Sequence, residues 1–149
     1  RCRISNYFAE NYGVLGYLNP NNFVNNIYHQ IFISEKQDKK AIAKSFNTGY
    51  TYFQSWLESI SYVRNICAHY GHLYNAKLSK TPMLYKEYSE AGIGNNRIFG
   101  VLLCIKHLLK DDRHWNLFVD NIQMLFDKYE SVDIKTMGFP QNWKEFLYV

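Results

Sequence analysis

Hydrophobic residues recur at helical spacing through the middle of the chain. From Tyr52 to about Asn75 the sequence has no proline and one glycine, Gly71. Over this stretch the apolar residues fall on one face with a period of about 3.6: Phe53, Trp56, Leu57, Ile60, Val63 and Cys67. The pattern predicts one long central helix with Ile60 at the middle of its apolar face.

Shorter apolar stripes predict helices before the central one. Ile4, Phe8 and Tyr12 are spaced by four residues, and a second stripe begins at Phe23. A polar stretch then leads to a short helix predicted around residues 41–46. The N-terminal third of the chain is therefore expected to be helical.

The residues after the central helix also show apolar positions at helical spacing. A connector containing Pro82 precedes a helix predicted over 98–109, and Asp111 or Asp112 is placed to cap the next one. The apolar face of that last helix comprises Trp115, Phe118, Val119, Ile122, Leu125, Phe126 and Tyr129.

Residues 132–149 have no helical stripe, and we predict an irregular, aromatic-rich segment packed on the bundle. No stretch alternates with the two-residue period of a strand. The fold class predicted is all-α, a helical bundle with an irregular C-terminal segment.

Length and composition fit one globular domain over residues 1–149. Hydrophobic residues make up 47% and charged residues 20%, and no Pro-rich or Gly/Ser-rich tract suggests a linker. Because the chain begins with Arg1 in what the pattern predicts as mid-helix, we expect an N-terminal portion of the full-length protein to be missing.

Charge and cysteines narrow the functional classes. A net charge of +4 is compatible with a polyanionic partner. Cys2, Cys67 and Cys104 form no Cys-x-x-Cys pair, which argues against a disulfide framework or a zinc ribbon. We predict Cys67 and Cys104 as core residues and the cytoplasm as location. The longest apolar run, 98–105, is far short of the about 18 residues that span a bilayer, so no membrane partner is expected.

Arg64 and His69 are the residue types that phosphodiester chemistry needs. Arginine offers a planar, permanently charged fork to phosphate oxygens, and histidine exchanges protons near neutrality. In RNA the 2'-hydroxyl is a built-in nucleophile, so a general base and a phosphate ligand suffice without metal or cofactor.

Helical geometry separates these two residues. At about 100° per residue, Arg64 lies about 40° and His69 about 180° from Ile60, which puts Arg64 and His69 about 140° apart. That separation is too wide for joint action on one phosphate in one protomer, so the motif predicts a dimer.

A second, polar stripe follows on the flank between them: Glu58, Ser61, Asn65, Ala68 and His72. Small side chains at Ala68 and Gly71, with Cys67 nearby, would let a second helix approach closely.

Residues 64–75 read Arg-Asn-Ile-Cys-Ala-His-Tyr-Gly-His-Leu-Tyr-Asn. They resemble the Arg-Asn-x-Cys-Ala-His-x-x-Arg-Leu-Trp-Asn signature of Abi-like abortive-infection proteins, a branch of the HEPN superfamily. Residues 12–23 and 137–143 are similar to two further segments of that family. The chain departs from the signature at His72, where the family usually has arginine.

The resemblance implies a HEPN-like helical bundle that dimerises, so that two Arg-x4-His motifs line one composite cleft. It further implies a metal-independent endoribonuclease acting in antiphage defence or as a toxin, with RNA as substrate and an RNA or protein antitoxin as partner. By the same resemblance, Arg64 is the phosphate ligand, His69 the general base or acid, and Asn65 the residue that orients the pair. His72, Tyr74 and Asn75 follow as supporting or RNA-binding residues.

Two alternative functions are compatible with the same residues. A non-catalytic module would bind RNA or a partner protein through the same polar stripe. Metal-assisted hydrolysis would use His69 and His72, but a catalytic zinc needs a third ligand that the sequence does not place. His29, His107 and His114 are predicted as exposed or capping residues.

Overall fold

The computed structural model describes residues 36–109 and 111–149, and this part of the chain is all-helical, with no strand. The predicted fold class is confirmed there. The elements are α1 (Lys36–Ser45), α2 (Tyr50–Ala68), α3 (Lys86–Glu90), α4 (Ile98–Leu108), α5 (Asp112–Lys128), a 3-10 helix (Ile134–Met137) and α6 (Trp143–Leu147). None of the helices in these two ranges is long and apolar enough to cross a membrane.

Of the helices predicted before the central one, one lies within the described residues. Helices predicted over 1–12 and after Phe23 lie outside the described residues, as does His29. The short helix predicted around 41–46 is present, but α1 begins at Lys36. The connector predicted before residue 98 contains the short helix α3.

The chain divides into two compact units, Arg1–Gln54 and Ser55–Val149. In the described part of the first unit, α1 buries Ile42 and Ala43. Phe46, just after α1, stacks on Phe53 with ring centroids 5.2 Å apart. Asn47 adopts a left-handed backbone (φ 54°), and the N–H of Thr48 donates to the carbonyl of Ala43, which ends α1. The single domain over 1–149 stays a prediction.

The second unit is built around α4, which packs with α6, while α6 also packs with α5. Residues 99–104 of α4 are all buried, which explains why their sequence is almost continuously apolar. The buried core comprises Tyr88, Ile93, Phe99, Leu102, Leu103, Trp115, Val119, Phe139, Trp143 and Leu147. Burial of these side chains is the main favourable contribution to the folding of this unit.

The C-terminal segment is packed on the bundle, as predicted, and contains the 3-10 helix and α6 within its irregular backbone. Trp115 Nε1 donates to the carbonyl of Leu147 at 2.6 Å. Lys106 Nζ donates to the carbonyls of Phe146 and Tyr148 at 2.8 and 2.7 Å. These bonds satisfy carbonyls that the end of α6 leaves without helical partners.

Helix α5 confirms the predicted cap and corrects the predicted face. The carboxylate of Asp111 accepts the N–H of His114 at 3.0 Å, so Asp111 is the N-cap. Trp115 and Val119 are buried, but three residues of the predicted apolar face are exposed: Phe118, Leu125 and Tyr129. The face is narrower than predicted because only the side turned to the second unit's core is covered.

Gly138 ends the 3-10 helix in the left-handed conformation, with φ 88°. A Cβ at this position would lie 2.7 Å from Cβ and 3.3 Å from Cγ of Arg97. Both the backbone conformation and the contact with Arg97 therefore require glycine.

We expect Gly138→Ala to destabilise the protein more than Gly92→Ala. Both glycines have positive φ, but a Cβ at Gly92 meets nothing within 4 Å. The backbone conformation alone costs alanine about 1–2 kcal/mol, and the clash with Arg97 adds about 1–3 kcal/mol at Gly138. Urea denaturation measures the two losses in unfolding free energy. Equal losses would show that Arg97 does not pack on Gly138.

Candidate functional site

The motif lies at the C-terminal end of α2, which ends at Ala68 rather than near Asn75 as predicted. The N–H of Tyr70 donates to the carbonyl of Cys67 at 3.2 Å, and that of Gly71 to the carbonyl of Ile66 at 2.8 Å. Tyr70 has φ 55°. This pair of backward hydrogen bonds with a left-handed residue is the Schellman motif that terminates helices. Residues 69–75 therefore form a cap and a loop, hereafter the motif loop.

Position 71 has no room for a side chain, because Ile66 of the same chain lies close to it. A Cβ there would lie 2.7 Å from Cγ2 and 3.0 Å from the carbonyl oxygen of Ile66. The prediction that Gly71 opens a helical face to a second helix is wrong, since Gly71 is not on the helix. Ala68 remains as the small exposed residue at the end of α2.

The buried face of α2 is also shifted from the predicted one. Phe53, Trp56 and Ser59 are buried, whereas Ile60 is half-buried. From residue 60 to residue 68 no side chain of α2 is buried. Cys67 is exposed, so its prediction as a core residue is wrong.

The connector after the motif explains part of this distribution, because it returns to α2 at Ser55 and Trp56. Trp56 Nε1 donates to the carbonyl of Met83 at 2.7 Å, and the N–H of Met83 donates to Oγ of Ser55 at 3.0 Å. The second half of α2 is therefore left at the surface.

Arg64 and Asn65 lie on this exposed second half, and exposed His69 directly follows the last residue of α2. Arg64 Nη1 donates to Oδ1 of Asn65 at 3.0 Å. The N–H of His69 donates to the carbonyl of Asn65 at 3.1 Å, which extends the helical ladder to His69. Asn65 thus contacts Arg64 through its side chain and His69 through its backbone. The helical ladder keeps Arg64 and His69 about 140° apart around the axis.

His72 and Tyr74 lie in the motif loop and are exposed. His72 is not on α2, so the predicted polar stripe ends at Ala68, and His69 and His72 share no helical face. Among residues 36–109 and 111–149, no group of three or more His, Cys, Asp or Glu side chains is placed to hold a metal ion.

Asn75 ends the motif loop in a left-handed conformation, with φ 53°. Arg97 Nη1 donates to its backbone carbonyl at 2.6 Å and to its Oδ1 at 3.2 Å. Further along, the N–H of Leu78 donates to the carbonyl of Asn96 at 2.9 Å. The end of the motif loop is therefore fastened to the residues that precede α4. The sequence carries no local signal for Arg97, which lies 22 residues from Asn75.

A second group of titratable residues lies inside the second unit, around His107. The prediction that His107 is exposed or capping is wrong, since it is half-buried and its ring stacks on Trp56 with centroids 5.5 Å apart. The hydroxyl of Tyr88 lies 2.8 Å from His107 Nε2. Burial lowers the pKa of His107, with a smaller lowering from Lys106 that Glu87 opposes. Burial also raises the pKa of Tyr88 to about 12, so its hydroxyl stays protonated beside His107.

The predictions that His114 is exposed or capping and that Cys104 is a core residue are confirmed. His114 is exposed and pairs with the capping carboxylate of Asp111. Cys104 is buried, and burial raises the pKa of its thiol to about 12. A thiol with so high a pKa stays protonated and behaves as a small core residue.

The family model of Abi-like proteins matches residues 23–75 of this chain. The matched segment ends at Asn75 and contains every residue that the sequence assigns to the site, which confirms the resemblance for this part of the chain. The similarities at residues 12–22 and 137–143 lie outside it. No curated protein and no solved structure matches the chain.

We expect Gly71→Ala to weaken the cap of α2, because its Cβ would press on Ile66. Overpacking of this kind costs about 1–3 kcal/mol of unfolding free energy, measured by urea denaturation. Gly94→Ala is the matched control, since the nearest atom to its Cβ, Oδ1 of Asn96, lies at an ordinary 3.5 Å. Its effect should stay within about 0.5 kcal/mol. The cap described above is contradicted if both variants are equally stable.

We expect the stability of the protein to fall as the pH is lowered below about 6.5, in part through His107. Its pKa is lower in the folded than in the unfolded protein. The unfolded state therefore binds the proton more readily, and the stabilisation present above the unfolded pKa is lost on acidification. His107→Gln should flatten the slope of unfolding free energy against pH between pH 7 and pH 5.

Tyr88→Phe is the matched variant for this measurement. It removes the hydroxyl but keeps the ring and the burial of His107, so it should lower stability by about 1 kcal/mol at pH 7 and keep the slope. Identical slopes for the unmodified protein and His107→Gln would assign the acid sensitivity to other groups.

Proposed function

We propose that this chain is an abortive-infection protein that cleaves RNA through Arg64 and His69 without a metal ion. The observation that supports this most directly is the exposed cluster at the end of α2, where Asn65 contacts both residues. The cluster falls inside the segment matched by the Abi-like family model. The net charge of +4 suits a polyanionic substrate.

The proposed reaction is an attack of the RNA 2'-hydroxyl on the adjacent phosphorus. The new P–O bond forms a 2',3'-cyclic phosphate while the bond to the 5'-oxygen breaks. His69 of one protomer takes the proton of the 2'-hydroxyl, and the protonated His69 of a second copy of the chain gives a proton to the leaving 5'-oxygen. The guanidinium of Arg64 binds the non-bridging oxygens, where negative charge develops in the transition state.

Asn65 supports this assignment through its contacts. Its Oδ1 holds one nitrogen of the Arg64 guanidinium, which leaves the other guanidinium donors for a phosphate. Its backbone carbonyl holds the N–H of His69 in the last turn. The contacts of Asn65 thus limit the conformations of the Arg64 guanidinium and of the His69 backbone before substrate binds, which lowers the entropic cost of reaching the transition state.

The site is proposed to be completed by a second copy of the chain. Arg64 and His69 diverge by about 140° around one helix. Two copies of α2 facing each other would place one Arg64 and one His69 from each protomer in a single cleft. The second half of α2 is suited to this, because it has no buried residue and carries half-buried Val63 and Ile66 beside exposed Ala68.

We expect the purified protein to cut single-stranded RNA in excess EDTA and to leave 2',3'-cyclic phosphate ends. Arg64→Ala and His69→Ala should each lower the rate by about 100-fold or more, with unchanged helical circular dichroism. Gel electrophoresis of a labelled RNA measures the rate, and sedimentation shows whether the active species is a dimer.

Arg113→Ala and His114→Ala are the matched controls, since both residues are exposed on α5 and lie outside the motif. They should cleave at the normal rate. Normal cleavage by both Arg64→Ala and His69→Ala would overturn the catalytic assignment. Binding of RNA without cleavage would support the non-catalytic module, and loss of activity in EDTA would support metal-assisted hydrolysis.

A further inference from the structure

Arg97 connects two segments that are far apart in the sequence. Its Nη1 donates to the carbonyl and to Oδ1 of Asn75, at the end of the motif loop. Its Cβ and Cγ pack against Gly138, which has no side chain to displace them. The guanidinium is thus held on the motif loop while the base of the side chain is seated on the C-terminal segment.

We propose that Arg97 is a positioning residue that holds the motif loop, through Asn75, against the residues that precede α4. The loop carries His72 and Tyr74, so Arg97 would determine where these side chains meet RNA. The significance for RNA rests on the function proposed above, whereas the tether itself does not.

The two hydrogen bonds from Arg97 restrict the backbone conformation of Asn75. Asn75 has φ 53°, a left-handed conformation that asparagine tolerates better than other non-glycine residues and that the two bonds from Arg97 hold in place. Hydrogen bonds from a charged donor are stronger than neutral ones. One nitrogen makes both bonds, so backbone and side chain of Asn75 are held at the same point.

Removal of this contact should leave the fold intact. The next anchors along the chain are independent of Arg97: the N–H of Leu78 donates to the carbonyl of Asn96, and Asn95 Nδ2 donates to the carbonyl of Pro82 at 3.1 Å. Leu78 and Pro82 are buried. An Arg97 variant is therefore expected to release the loop as far as Asn75 and not the connector beyond it.

Amide hydrogen exchange without RNA tests the tether. In Arg97→Ala the hydrogen-bonded amide at the end of the loop, that of Ala76, should exchange about tenfold faster, as expected for the loss of hydrogen bonds to a charged group. The amide of Ala76 is the best single reporter, because it donates to the carbonyl of Leu73 within the loop. The amide of Leu78 should change little.

Three further variants sharpen this measurement. Arg97→Lys should restore slow exchange, since a single nitrogen makes both bonds to Asn75. Gly138→Ala, which displaces Arg97 but keeps its charge, should accelerate exchange in the loop. Arg113→Ala removes an exposed arginine elsewhere and should have no effect. Unchanged exchange of the Ala76 amide in Arg97→Ala would overturn the inference.

RNA assays distinguish positioning from direct phosphate binding. If Arg97 acts through Asn75, the double variant Arg97→Ala/Asn75→Gly should lose no more cleavage rate than the worse of the two single variants. The slope of log Kd against log salt should also stay the same. Additive losses, with a slope reduced by about 0.7, would show that Arg97 binds an RNA phosphate itself and would overturn the positioning role.

The two proposals fail separately. If Arg64→Ala and His69→Ala both cleave normally, the catalytic assignment fails, but the exchange measurement still decides whether Arg97 holds the loop. If the exchange does not respond to Arg97→Ala, the tether fails and the catalytic pair is unaffected.

Discussion

The last turn of α2 closes on two backward hydrogen bonds, from Tyr70 to Cys67 and from Gly71 to Ile66. They require a left-handed residue and then a glycine that fits against Ile66. Because the chain reverses there, the N–H of His69 is the last to donate to a helical carbonyl four residues back, and residues 69–75 form the motif loop. The arrangement of the candidate site depends on this reversal: Arg64 and Asn65 lie on a rigid element, His69 lies at its end, and His72 and Tyr74 project from the motif loop.

The core of the second unit has a direct connection to that loop. Helix α4 is buried along residues 99–104, and the C-terminal segment packs on it through Phe139 and Trp143. Gly138, next to Phe139, leaves room for Arg97, and Arg97 holds Asn75. A segment that looks irregular in sequence therefore supports the end of the motif, which gives it a role beyond covering the core.

The exposed second half of α2 and the buried group around His107 show opposite uses of titratable residues. Arg64 and His69 lie at the surface, where a phosphate can reach them. His107 is stacked on Trp56 and bonded to Tyr88, and burial keeps it neutral. Only the first arrangement offers free donors to a substrate, so the second contributes to stability and to its dependence on pH.

Features that depend on neighbours within a few residues are predictable from the sequence: helical periodicity gives α4 and α5 to within about a residue, and the cap of α5 is narrowed to Asp111 or Asp112, of which Asp111 is the N-cap. The pairing of motif residues around Asn65 is equally local. The exposure of Cys67 and the burial of His107 depend on tertiary packing, whereas α2 ends through the local hydrogen bonds of Tyr70 and Gly71. Tertiary structure also decided the contact between Arg97 and Asn75, which joins residues 22 positions apart. Periodicity reports which residues share a helical face, but only the packing of distant segments determines whether that face is covered.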